Sequence, residues 1–82
     1  MEMDKLDYAI LNALQETQAT TSLSSLSRKQ LLEDVDIKGQ NLFIRLKKLV
    51  SMELVKKGIK DGREHTYFIT EAGIKELREA LG

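Results

Sequence analysis

Apolar positions recur at helical spacing in four separate stretches of the chain, and one stretch between the third and fourth alternates as a strand does. In residues 4–16, Leu6, Ala9, Ile10, Ala13 and Leu14 repeat at intervals of three and four, which predicts a first helix with one apolar face. Asp4 and Asp7 fall in or near its first turn, where the helix dipole favours acids. Tyr8 and Leu11 lie toward the flank, where they would serve a partner helix. Residues 17–26 are rich in Ser and Thr, whose hydroxyls compete for backbone groups. They predict a long loop ending in an extended piece near Leu26, with Leu23 and Leu26 turned into the core.

Ser27-Arg28-Lys29-Gln30 has the capping-box pattern, so a second, short helix runs from there to about Val35 with Leu31, Leu32 and Val35 inward. Asp36-Ile37-Lys38-Gly39 is a turn. The third helix runs from about Gly39 to Met52. At 100 degrees per residue, Leu42, Leu46, Leu49 and Val50 share one face of it. Gln40, Asn41, Ile44, Lys47, Lys48 and Ser51 share the other, with Phe43 and Arg45 on the borders. Strands are expected over Leu54–Lys60 and His65–Ile69, the second rich in residues with β preference. Asp61-Gly62 between them is a hairpin-turn signal. Thr70 caps a last helix over Glu71–Leu81, whose stripe is Ala72, Ile74, Leu77, Ala80 and Leu81.

That order predicts a mainly α domain with a small β-hairpin: a winged helix-turn-helix made of a three-helix core, a two-stranded wing and a C-terminal helix. At 82 residues the chain makes one domain, residues 1–82, with one small core, and dimerisation is plausible from size alone. With no cysteine and one histidine, His65, no metal site or cofactor is expected. Nothing resembles a signal peptide or a membrane span, which points to a cytoplasmic protein without membrane contact. No nucleophile–base set, phosphate loop or carboxylate pair suggests an enzyme.

Charge changes the picture more than composition does. The net charge is zero, but residues 38–63 carry eight bases (Lys38, Arg45, Lys47, Lys48, Lys56, Lys57, Lys60, Arg63) against Glu53 and Asp61, a net of +6. Residues 1–37 carry a net of −4 and residues 64–82 a net of −2. A basic face over the third helix and hairpin is what attracts a phosphate backbone.

From about Leu31 to Leu77 the chain resembles the winged-helix repressors of bacteria and archaea, of the PadR-like and MarR-like patterns. Gln40-Asn41-Leu42-Phe43 and Leu46-Lys47-Lys48-Leu49 stand where PadR-like chains start and continue their third helix. Leu54-Val55 matches the opening of the first wing strand, and Tyr67-Phe68-Ile69-Thr70-Glu71-Ala72-Gly73 matches the closing signature. Glu53 departs from the pattern by standing where the family has Gly, and Ile44 by replacing a position that is often polar.

The resemblance implies a sequence-specific double-stranded DNA-binding protein, a small transcriptional regulator. Its third helix would lie in the major groove with Lys38, Gln40, Asn41, Ile44, Arg45, Lys47 and Lys48 as contacts. The wing would bring Lys57, Lys60 and Arg63 to the backbone or minor groove. Partners would be duplex DNA and a second copy, joined through the first helix, the last helix or both. The alternatives are a winged helix used for protein interaction, for which an apolar patch joining Phe43 and Ile44 would speak, or a plasmid- or virus-encoded protein of architecture, replication or partition.

Overall fold

A computed structural model describes residues 3–60 and 62–81. The elements run α1 (Lys5–Glu16), a 3-10 turn (Ser22–Ser24), β1 (Leu26–Ser27), α2 (Arg28–Asp34), α3 (Gly39–Ser51), β2 (Val55–Lys57), β3 (Thr66–Ile69) and α4 (Glu71–Leu81). The strands form one antiparallel sheet in the order β1-β3-β2, with Leu26 opposite Tyr67 and Val55 opposite Ile69. The sheet therefore has one strand more than the two-stranded wing expected; the extended piece at Leu26 pairs with β3.

The core confirms α3 and corrects α1. Leu42, Leu46 and Leu49 are fully buried, as their shared face predicts. In α1 the buried set is Asp7, Ile10, Leu11 and Leu14. These recur at three, four and seven, so the inward stripe passes through a carboxylate. Leu11 belongs to the chain's own core rather than to a partner helix, and Leu6, Ala9 and Ala13 are only half-buried. Asp4 caps α1 in a reciprocal box, accepting from the Leu6 and Asp7 amides while Asp7 accepts from its own. Ser27 and Gln30 form the second box as expected.

Both α1 and α3 end in the same backbone lock. The Leu54 amide reaches back to the Leu49 carbonyl and the Glu53 amide to Val50, while the Ala19 amide reaches Leu14 and the Gln18 amide Gln15. This is the Schellman pattern, whose penultimate residue is left-handed. Gln18 (φ 60°) and Glu53 (φ 63°) occupy that position without being glycine.

Three further expectations change. Leu23 points outward and is 87% exposed, because Thr21 and Ser24 cap each other across the 3-10 turn that carries it. Ala19 is the loop's buried side chain, and its carbonyl takes the Ile69 amide at 2.8 Å. Leu32 is exposed on the outer side of α2. In α4 the inward residues are Gly73, Ile74 and Leu77, while Ala72, Ala80 and Leu81 are exposed. Gly73 sits so close to the Leu54 carbonyl that a Cβ would overlap it, so α4 meets the sheet through a glycine.

The hairpin is shorter than its sequence suggests. Beyond Lys57 the Gly58 N–H still bonds the Thr66 carbonyl at 2.9 Å. Gly58 lies against Ser25, where a side chain would clash. The Thr66 hydroxyl joins Ser25 (2.7 Å) to the Ile59 carbonyl, fastening the wing base to the Ser/Thr loop. Gly62 has φ 65°, as the turn requires. Asp61 lies outside the described residues.

Candidate nucleic-acid interface

The three cations of α3, Arg45, Lys47 and Lys48, do different things. Gln40, Ile44, Lys47 and Ser51 face outward, with Ile44 57% exposed. Arg45 and Lys48 turn toward α1. The Arg45 guanidinium bonds Asp4 Oδ1 at 2.5 Å and Asp7 Oδ1 at 3.2 Å, and Lys48 Nζ pairs with Asp7 Oδ2. Arg45 Nε also donates to the Asn41 side-chain oxygen at 3.1 Å, which occupies the amide expected to read a base. The hydrogen bond from Arg45 holds the Asp4 carboxyl down at about 2. Asp7 is completely buried, so a charge there is tolerable only because two cations neutralise it.

Lys38 is exposed just before α3, where its side chain makes no capping bond. On the hairpin Lys57, Lys60 and Arg63 are all exposed. Lys56 is exposed too and lines a different depression with Glu53, Phe68 and Glu71.

Between α3 and the wing runs a groove of about 310 Å³ lined by Phe43, Lys47, Val50, Ser51, Lys57, His65 and Tyr67. Its floor is apolar and its rim is basic. The groove brings Lys47 and Lys57, expected separately as helix and wing residues, to one place. Two residues outside the expected DNA contacts join it, His65 on its rim and Arg28 beside it. Arg28 lies over the Phe43 ring at 5.0 Å, with Lys47 at 5.5 Å from the same ring. A cation is attracted to an aromatic face in this range. His65 stands on the rim, and desolvation, Lys57, Lys60 and Arg28 lower its pKa. A signal for Arg28 was present: a base at the first position of a helix opposes the dipole and so needs another partner.

A helix-turn-helix whose last helix and hairpin share a basic face is a winged helix-turn-helix. No family model matches the chain. The DNA-binding protein TubR of Clostridium botulinum C phage is 32% identical over 81 residues, covering 99% of this chain and 100% of that protein. The chain belongs to the TubR family. TubR from Bacillus megaterium pBM400 superposes with a TM-score of 0.86 at 20% identity, over 98% of this chain and 88% of that one. ZitR, a MarR family member of Lactococcus lactis, gives 0.76 at 22%, over 99% of this chain and 53% of its own. These two likenesses show the fold, and the second is to the MarR pattern noted in the sequence. Among the described residues no helix is long and apolar enough to cross a membrane.

Proposed function

We infer that this chain binds double-stranded DNA through the outer face of α3 and the wing. The observation that carries this reading is the shared groove, where Lys47 of α3 and Lys57 of β2 rim one surface, with Arg28 beside it and Lys60 and Arg63 farther along the hairpin. A relative named as a DNA-binding protein supports it. Gln40 and Ile44 are the side chains placed to meet base edges, the Ile44 side chain suiting a thymine methyl. Lys38, Lys47, Lys57, Lys60 and Arg63 meet phosphates. Arg45 and Lys48 act chiefly by joining α3 to α1, and Asn41 is held by Arg45. The phage origin of that relative supports the setting of a plasmid- or virus-encoded protein, acting in replication, partition or transcriptional control at its own sites.

Fluorescence-anisotropy titration of random-sequence duplex at ~50 and ~200 mM salt tests this reading. Micromolar binding that weakens steeply with salt is expected. No binding at the lower salt by a folded protein would contradict it.

A second reading has its own observation. Phe43 (38% exposed) and Ile44 (57%) are adjacent on α3 and both uncovered, as a protein-interaction surface requires. The homodimer expected through α1 or α4 is one form of such contact. On those helices, however, the large exposed apolar side chain is Leu81. Sedimentation of Leu81→Lys and Ile44→Lys separates the surfaces: the variant that becomes monomeric marks the interface.

A further inference from the structure

The rim of the α3–wing groove holds a histidine, the side chain whose ordinary titration range lies near neutral pH. His65 is the single histidine in the chain and lies immediately before β3, on the rim with Lys47 and Lys57. The charged and titratable groups around it come from every neighbouring element: Arg28 of α2, Lys47 of α3, Lys57 of β2, Lys60 of the wing and Tyr67 of β3. Its chain neighbour Glu64 lines a separate depression with Arg28 and Lys29. The ring is thus surrounded mainly by positive charge above an apolar floor. That surface matches a sugar–phosphate strand, in which the deoxyribose is largely apolar and the phosphate anionic.

We propose that the groove seats one backbone phosphate of duplex DNA and that His65 is its switchable cation, joining Lys47 and Lys57 when protonated and leaving them when neutral. The proposal rests on the DNA-binding reading above. In the unbound protein, desolvation and the cations Lys57, Lys60 and Arg28 all disfavour protonation. A phosphate set among these cations reverses the local field, so the imidazole takes up a proton as DNA binds. Linkage then requires DNA to bind more tightly as pH falls through the titration range of this histidine. No covalent step is involved; one proton moves from solvent to the ring.

The test is anisotropy titration of one duplex at fixed salt and several pH values between about 5.5 and 8, a window centred on the ordinary histidine range, with wild type, His65→Gln and His65→Lys. Binding by wild type should tighten toward acid pH, by up to tenfold for each unit that the phosphate raises the His65 pKa. His65→Gln should be nearly flat across the range, and His65→Lys should bind tightly throughout. In parallel, NMR titration of the His65 ring should give a higher pKa with duplex than without. A full pH response retained by His65→Gln, or an unchanged His65 pKa in the complex, would overturn the proposal while leaving salt-sensitive DNA binding in place. Absence of duplex binding at every pH would instead overturn the DNA-binding reading and this proposal with it.

Discussion

At Asp7 a carboxylate occupies a position that the helical repeat of α1 otherwise fills with Ile10, Leu11 and Leu14. Read along the sequence, Asp7 looks like an ordinary acid in a first turn, and the apolar stripe seems to pass beside it. The buried stripe passes through it because Arg45 and Lys48, some 40 residues later, bring opposite charge to the same point. That pairing is a tertiary fact, and no local pattern encodes it. For the same reason Arg45 and Lys47 looked alike as DNA contacts, although the border position of Arg45 on the helical wheel was a hint. Removing the carboxylate takes an opposite charge away from both Arg45 and Lys48, which are more than four-fifths buried. Asp7→Ala should therefore cost about 3 kcal/mol, measured by urea unfolding. Asp4 adds a pH signature. Its folded pKa is lowered from 3.8 to about 2, chiefly by the Arg45 hydrogen bond. The stability it contributes is therefore present above 3.8 and is lost as pH falls through about 2. Asp4→Asn, which keeps the cap but not the charge, should flatten the unfolding profile over that interval.

The elements were more legible than their ends. Helices α2, α3 and α4 lie where apolar spacing and the Ser27 and Thr70 caps place them, because those signals are local. The helix ends are governed by backbone conformation, which side-chain identity reports only when a glycine is present. Here it is absent: Gln18 and Glu53 hold left-handed positions that cost an L-residue about 1 kcal/mol each. Gln18→Gly and Glu53→Gly should each raise the melting temperature by several degrees, and their effects should add, since they lock different helices. Gly73→Ala should do the opposite. Its methyl group would run into the Leu54 carbonyl and the Ile69 side chain, for a loss of about 1–3 kcal/mol read in the same melts. The inward position of Gly73 escaped the apolar count because the residue contributes contact by having no side chain. The Ser/Thr loop was legible as a loop, but its work was not. It fastens the wing base through Ser25, Thr66 and Gly58, three residues from separate parts of the chain.

For the whole molecule, the zero net charge conceals a division of labour. The acids of α1 neutralise Arg45 and Lys48 inside the fold, whereas Lys47 of α3 and Lys57 of the wing rim one groove and Lys60 and Arg63 stand exposed farther along the hairpin. The charge count along the sequence marked residues 38–63 as basic, but could not divide their bases into cations that hold the fold together and cations that face outward. The salt dependence of DNA binding measures that division, because each phosphate contact contributes about 0.9 to the slope of log affinity against log salt. Comparing wild type with Lys47→Ala/Lys57→Ala and with Arg45→Ala is the most direct test. The groove pair should lower the slope by about 0.9, the share of the one phosphate it holds, whereas Arg45→Ala should leave it unchanged while reducing stability. A slope unaffected by the groove pair, or lowered as much by Arg45→Ala as by that pair, would contradict this division of the cations.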